Sequence, residues 1–135
     1  MAAFNKYQDF AEQVGKGVHL LHAAGHTLNI YLSNVAPTAT DASKPGTATE
    51  IAAGNGYTAG GADTQNDYTE SAGTGSCTGV DVVWTASGGT IGPFRYVVLY
   101  NDTATSPVDA LIGWWDYGSA ITLNAGETFT ADFGT

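Results

Sequence analysis

The chain contains the stretch IGPFRYVVLYNDTATSPVDALIGWWDY at residues Ile91 to Tyr117, and this stretch decides the fold. Residues 94–100 and 111–117 are rich in aromatic and β-branched side chains, a composition typical of strands with a buried face. Residues 101–109 between them are rich in Asn, Asp, Ser and Pro, which favour a turn or loop. The sequence therefore predicts a β-hairpin. An isolated hairpin is marginally stable in water, so other strands must pair with it or cover it.

The composition is that of a single mainly-β domain with an acidic surface. The chain has 135 residues, of which 18 are Gly and 11% are aromatic, and this length suits one hydrophobic core. Asp and Glu number 13 against 4 Lys and Arg, which gives a formal net charge of -9. Such a chain lacks the clustered cations that nucleic-acid binding requires. We therefore expect no nucleic acid among its partners.

The N-terminus gives no sign of export or of membrane insertion. The residues MAAFNKYQDF lack the basic start and apolar run of a signal peptide. No apolar stretch approaches the ~20 residues that span a bilayer. We expect synthesis in the cytosol and no membrane partner.

Shorter elements flank the hairpin on both sides. Apolar residues at spacings of three and four predict a helix at residues 5–15, within an N-terminal helical segment 4–22. Alternation predicts a strand at residues 27–33. Residues 34–65 form a long polar arm, which we expect to be either a functional surface loop or a segment ordered by a partner. Further strands are predicted at residues 67–73, 74–79 and 80–86, and a final hairpin at residues 121–123 and 128–133.

These elements together predict the architecture. One helix and about six to eight short strands indicate an antiparallel β-sandwich or jelly roll with a short N-terminal helix. No domain linker interrupts the chain, so residues 1–135 are predicted to form one domain.

Three histidines and one cysteine are candidates for metal or nucleophile chemistry. His19, His22 and His26 lie close together in sequence and could hold a transition metal. Against a metal, Gly25 weakens a helix at this position and no carboxylate neighbours the histidines. The alternative, polar groups at a surface or interface, is the one we favour. Cys77 cannot form an intrachain disulfide, because it is the single cysteine, and we expect it to be a strand residue.

The tryptophan pair and its neighbours suggest two further roles. Trp114 and Trp115 are adjacent on a predicted strand, so one should be buried and the other partly exposed. An exposed Trp beside Asp116 could stack on a sugar ring, which keeps a carbohydrate-binding module as an alternative. Arg95 is the basic residue of an apolar strand, and we expect it to reach a carboxylate or to line a subunit contact. No Ser-His-Asp or Cys-His spacing indicates catalysis, so we expect no enzymatic activity and no cofactor.

Several blocks of the chain together resemble a known family. They are FNKYQDFAEQVGKGVH, LSNVAP, EIAAGNGYTAGG, DVVWTASGGTIGPFRYVVLYNDTA, LIGWWDYGS and ITLNAGETFT. In these blocks the chain is similar to small virion structural proteins of tailed bacteriophages, and FRYVVLYND and GWWDYGS are the most specific. The resemblance implies a non-enzymatic particle component. The role we favour is a capsid decoration (cement) protein, and the alternative is a tail, adaptor or fibre-associated structural protein.

A decoration protein implies definite partners. It would bind many equivalent sites on the major capsid protein and clamp adjacent subunits, and a homotrimer would suit the three-fold positions of a capsid. We expect it to be synthesised in the host bacterial cytoplasm and to lie on the outer capsid surface. The candidate interface residues lie in the N-terminal segment, the arm and the hairpin: Phe4, Tyr7, Phe10, Val14, Ile51, Tyr57, Arg95, Trp114 and Trp115.

Overall fold

The structure is mainly antiparallel β with one short helix, which confirms the predicted fold class. It is a computed structural model that describes residues 2–133. The elements in chain order are β1 (Phe4–Lys6), α1 (Gln8–Gly15), β2 (Leu28–Ser33), β3 (Ala62–Asp63), β4 (Asp67–Ser71), β5 (Thr74–Thr78), β6 (Val82–Thr85), β7 (Ile91–Thr105), β8 (Val108–Leu123) and β9 (Thr128–Ala131). Within the described range, no helix has the length and apolar character needed to cross a membrane.

The central sheet has the strand order β1-β8-β7-β2-β3, and all its pairings are antiparallel. The predicted hairpin is present as β7 and β8, but these strands are 15 and 16 residues long. Their turn is only Ser106 and Pro107, because Thr105 pairs with Val108. The prediction of a loop at residues 101–109 is therefore wrong except at Ser106 and Pro107. Pairing with the neighbouring strands overrides the turn preference of the individual residues.

One face of the central sheet packs against a second sheet made of β6 and β9, which gives a β-sandwich. Val82 and Trp84 of β6 point inward and are buried, whereas Val83 and Thr85 point outward. The core between the layers contains Ile30, Leu32, Tyr57, Val82, Trp84, Ala86, Ile91, Phe94, Val97, Trp115, Leu123 and Ala131. A jelly-roll topology stays a prediction.

Part of the arm, residues 34–65, packs on the opposite face of the central sheet, whereas Ile51 and Tyr57 of the arm pack against the sandwich core and β3 belongs to the sheet itself. The Tyr31 hydroxyl donates to the Ala48 carbonyl over 2.7 Å, and the Tyr100 hydroxyl donates to the Gly60 carbonyl over 2.7 Å. At Gly61, φ is +80°, and a Cβ atom there would overlap a backbone carbonyl of β2. Contacts within the chain therefore fix the position of the arm, and the expectation that a partner orders it stays a prediction.

The N-terminal helical segment is shorter than predicted. Residues 4–6 form β1, which pairs with β8, and α1 begins only at Gln8. Residues 18–22 contain no helix. Strand pairing satisfies the backbone groups of residues 4–6, so the helical periodicity of the aromatic residues there does not decide the conformation.

The final hairpin is also corrected by the structure. β9 pairs with β6 and not with the end of β8. Residues 124–127 therefore connect the two layers of the sandwich. This crossing brings the Phe129 ring to 4.9 Å from Phe94 and 6.2 Å from Trp84, measured between ring centroids, so the half-buried aromatic residue of β9 packs against the core.

Candidate apolar binding site

A half-open pocket of about 600 Å³ lies beside the sandwich core. Its floor is the part of the central sheet that the short β6–β9 sheet leaves uncovered. Its walls come from α1, residues 17–26, residues 64–66, β5 and Phe133, which lies two residues after β9. The lining residues are Phe4, Phe10, Leu21, Leu28, Thr64, Asn66, Cys77, Thr78, Gly79, Leu99, Ile112, Trp115 and Phe133. This size lies within the range typical of ligand and anchor-residue sites.

Aromatic residues from distant parts of the chain meet at the pocket. The Trp115 ring lies 5.1 Å from the Phe4 ring and 5.5 Å from the Phe133 ring, between centroids. Phe4 is held there because β1 pairs with β8, and its ring lies over Gly113, where any larger residue would collide with it. Phe10 is presented by α1. The pocket therefore exists only when the two ends of the chain and the β7–β8 hairpin are assembled.

The buried polar groups of the lining are satisfied within the chain. The Asn66 side chain donates to the Leu21 carbonyl over 2.6 Å and accepts from the Leu28 amide over 3.3 Å. The Thr64 hydroxyl donates to the Leu28 carbonyl over 3.0 Å. No charged residue belongs to the lining. Such a pocket selects an apolar, uncharged occupant, because a buried charge would find no compensating partner.

Cys77 has the properties of a structural residue rather than a nucleophile. It lies on β5, exposed at the pocket rim. Partial desolvation, together with the Asp67 carboxylate, raises the pKa of its thiol. The thiolate, which is the reactive form, is therefore disfavoured at neutral pH.

The chain as a whole is acidic, and most of its cations are already paired with carboxylates. Lys16 contacts Glu12, Lys44 contacts Glu50 over 2.8 Å, and Arg95 contacts Asp116 over 2.8 Å. These pairs use three of the 4 basic side chains. The 13 acidic side chains of the sequence thus outnumber the cations available to them, and the outer surface carries a negative field.

Comparison with protein-family models, curated proteins and solved structures finds no match to this chain.

Three of the predicted interface residues come together in the pocket. Phe4, Phe10 and Trp115 all contribute to its lining. Trp115 is buried against the core, with 7% of its surface exposed, whereas Phe4 is 48% exposed. The sequence predicts these three residues as interface candidates, but no sequence pattern predicts that they meet.

The remaining predicted interface residues lie elsewhere. Tyr7 and Tyr57 are buried inside the described chain, at 0% and 3% exposure, so they build the core and offer no accessible surface. Ile51 packs against the sandwich core. Val14 is exposed and lines a smaller hollow beside the pocket. These residues do not form one continuous surface with the pocket.

The expectations for the tryptophan pair and Arg95 are confirmed by the geometry. Trp115 is buried, and Trp114 on the opposite face is half-buried, with its ring 4.7 Å from the Tyr7 ring. Arg95 donates to both carboxylate oxygens of Asp116, over 2.8 and 3.1 Å. These hydrogen bonds lower the pKa of Asp116. Trp114 and Asp116 are thus both engaged within the chain.

The histidines do not assemble as a ligand set. His19 and His26 both face the side chain of Asn101, whereas His22 is exposed. Within residues 2–133, no group of three or more His, Cys, Asp or Glu side chains is placed to hold a metal ion. Asn101 was missed from the sequence because Asn in a polar stretch is typical of a turn.

Proposed function

We propose that this chain is a structural component of a tailed-bacteriophage virion, and that its role is to decorate and stabilise the outer surface of the capsid. The observation that carries the proposal is the apolar pocket, which collects Phe4, Phe10 and Trp115 in a chain of net charge -9. The sequence resemblance to virion structural proteins supports the same role. Catalysis is no part of the proposed role, nor is a cofactor.

The proposed occupant of the pocket is an apolar side chain carried by a basic segment of the major capsid protein. The uncharged lining favours an apolar anchor, which would gain its affinity from burial in a preformed hollow. The net charge of -9 favours a positively charged surrounding segment, because opposite potentials steer association and suppress wrong partners. Many copies clamped across adjacent subunits, in trimers at three-fold positions, would multiply the weak individual contacts.

The location in the particle is tested by the copy number. Quantitative mass spectrometry of purified virions would compare this chain with the major capsid protein. Hundreds of copies support decoration of the whole shell. About a dozen copies or fewer would contradict it and favour the tail, adaptor or fibre role, since those structures lie at one vertex.

The role of the pocket is tested by binding to shells that lack the protein. Phe10→Asp places a charge in the pocket wall, and Val108→Asp places the same charge at the exposed tip of the β7–β8 hairpin, which serves as the matched control. We expect Phe10→Asp to abolish binding and Val108→Asp to leave it unchanged, with both variants folded by circular dichroism. Equal binding by the two variants would refute the pocket as the contact site. Weaker binding at high salt would support the electrostatic part of the argument.

The carbohydrate-binding alternative receives a direct test on the same material. The Trp114 ring packs on Tyr7 and the Asp116 carboxylate is held by Arg95. A sugar would therefore have to displace existing contacts. Glycan-array binding that is lost in Trp114→Ala would favour that alternative over decoration.

A further inference from the structure

Two imidazoles and one amide form a closed cluster under the pocket wall. The Asn101 side-chain nitrogen lies 3.0 Å from His19 Nδ1 and 2.9 Å from His26 Nδ1. Its oxygen accepts hydrogen bonds from the backbone amides of Thr103, over 3.0 Å, and Ala104, over 3.1 Å. Asn101 has no exposed surface. We call these three side chains, His19, Asn101 and His26, the His–Asn–His cluster.

The hydrogen bonds of the cluster fix the protonation state of both histidines. Two backbone donors hold the Asn101 oxygen, so the amide nitrogen must face the imidazoles and donate one hydrogen to each. Both Nδ1 atoms must then be unprotonated acceptors, and both rings are neutral with the proton on Nε2. The Nε2 of His19 is buried and has no hydrogen-bond partner among residues 2–133, so a proton on Nδ1 would add a second unmatched donor to this ring. The Leu20 amide, 3.4 Å from His26 Nδ1, adds a second donor to that acceptor.

Protonation of either imidazole is incompatible with this arrangement. A proton on Nδ1 would point at the Asn101 amino group, donor against donor. A 180° rotation of the Asn101 side-chain amide would create another donor–donor contact, because its amino group would then face the backbone amides of Thr103 and Ala104. A buried donor without an acceptor is costly, so neither orientation of the amide accepts a protonated ring.

The cluster holds the segment that walls the pocket. His19 and His26 bracket residues 20–25, and Leu21 from this segment lines the pocket. The His19 ring also lies 5.0 Å from the ring of Phe10, another wall residue. Besides the cluster, the segment is tied to the rest of the chain by Asn66, which donates to the Leu21 carbonyl, and by Asp67, which accepts from the Ala23 amide over 3.1 Å.

We propose that the His–Asn–His cluster is an acid-sensitive closure, which keeps the 17–26 segment on the sheet at neutral pH and releases it when an imidazole is protonated. Release would remove Leu21 and the support of Phe10 from the pocket wall. The pocket would then be formed at neutral pH and open at acid pH. Its connection to capsid binding rests on the proposed function, whereas the closure itself is a property of the isolated chain.

The charges around the cluster favour this direction. Burial lowers the pKa of His19, the proximity of His26 lowers it further, and Asp9 on α1 opposes both effects. Asp67 on β4 lies beside the segment, and Asp102 on β7 is exposed next to Asn101. Because the pKa of His19 is lowered in the closed state, the closed state is fully stable above the pKa of His19 in the open state, about 6.5, and loses stability as the pH falls below that value. Each pH unit below that value favours the open state by up to about tenfold through His19, until His19 is protonated in the closed state as well.

The test is amide hydrogen exchange of the intact chain by NMR. The amides of Ala23, Gly25 and His26 are bonded within or to the segment and report on its opening. After correction for the intrinsic exchange rate, we expect their protection factors to fall about tenfold per pH unit below about pH 6.5, while those of β7 stay constant. The indole resonance of Trp115 should shift with the same midpoint, because it reports on the pocket.

Three variants separate the cluster from a general effect of acid. His22→Gln, on the exposed histidine, should behave like the unmodified chain. His19→Gln offers an acceptor that cannot be protonated, and the fall in protection should become shallower. Asn101→Asp would accept from a protonated ring, so protection should rise on acidification; if this variant does not fold, His19→Gln decides. Protection that is independent of pH, an unchanged slope in His19→Gln or a slope lost in His22→Gln would each overturn the inference.

The inference and the proposed function can fail separately. A cluster without pH response would leave the pocket as a candidate contact site. Shell binding that is unaffected by Phe10→Asp would remove the proposed function and leave the response of the isolated chain to acid standing.

Discussion

Lys44 is the residue whose replacement best tests how the arm is held on the sheet. Its Nζ lies 2.8 Å from the Glu50 carboxylate and 5.0 Å from the ring centroids of both Tyr31 and Tyr100. The side chains of Lys44 and Glu50 are only 18% and 14% exposed. Glu50 also accepts from the Gly60 amide over 2.7 Å. One ion pair therefore joins residues 44, 50 and 60 of the arm to the aromatic face of the sheet.

Lys44→Met keeps most of the aliphatic stem and removes the charge. Breaking a fully buried pair by removing one partner costs about 3–5 kcal/mol, whereas an exposed pair contributes about 0–1 kcal/mol. For a pair this little exposed we expect about 2 kcal/mol. The lost cation–π contacts add about 0.5–1 kcal/mol. The expected decrease in the free energy of unfolding is therefore about 3 kcal/mol.

The assay is urea unfolding of a double-mutant cycle. Glu50→Gln retains an acceptor for the Gly60 amide, and we expect it to cost about 1–2 kcal/mol because Lys44 loses its counter-ion. The double variant leaves no unpaired charge, so its cost should be smaller than the sum of the two single costs by about 1–2 kcal/mol. With a slope of about 2 kcal/mol/M, Lys44→Met should lower the midpoint by about 1.5 M. Additivity of the two costs within about 0.5 kcal/mol would refute the reasoning.

Three further outcomes follow from other contacts. Arg95 lowers the pKa of Asp116, so Asp116→Asn should lower the free energy of unfolding by less than about 1 kcal/mol at pH values above about 3.9. Once the pH has fallen below the lowered pKa of Asp116, the substitution should cost nothing, and urea unfolding in the two pH ranges checks this. Gly61→Ala should be less stable than Gly60→Ala by at least about 2 kcal/mol, because both have positive φ but only the Cβ at position 61 meets a backbone carbonyl; thermal melts that coincide would contradict it. Tyr57→Phe removes the acceptor of a buried β2 amide and should cost about 1–3 kcal/mol, and an unchanged unfolding midpoint would show that water replaces the hydroxyl.

Local sequence patterns predicted the elements whose residues all favour one conformation. The runs at residues 94–100 and 111–117 and the strand at residues 27–33 are strands in the structure. The adjacent tryptophans face opposite sides of the sheet, as the period of two requires. Arg95 reaches a carboxylate because a cation in an apolar strand needs a partner. Each of these predictions depends on residues near each other in the sequence or on a general energetic cost.

The candidate site could be predicted only in part. Phe4, Phe10 and Trp115 were named from their aromatic character, whereas Leu21 and Phe133 gave no signal that separates them from core residues. The pocket results from a mismatch in length between the long β7–β8 hairpin and the four-residue strands of the second sheet. Such a mismatch is a property of the assembled layers.

The sequence by itself determined the fold class, the acidic surface and the central hairpin, because alternation, β-branched composition and charge are local or additive properties. Only the tertiary structure decided that residues 101–105 continue β7, that β9 joins β6, and that part of the arm packs on the sheet. In each of these cases the local preference was weak or opposed to the outcome. Contacts between residues far apart in sequence supplied the free energy that selected the conformation.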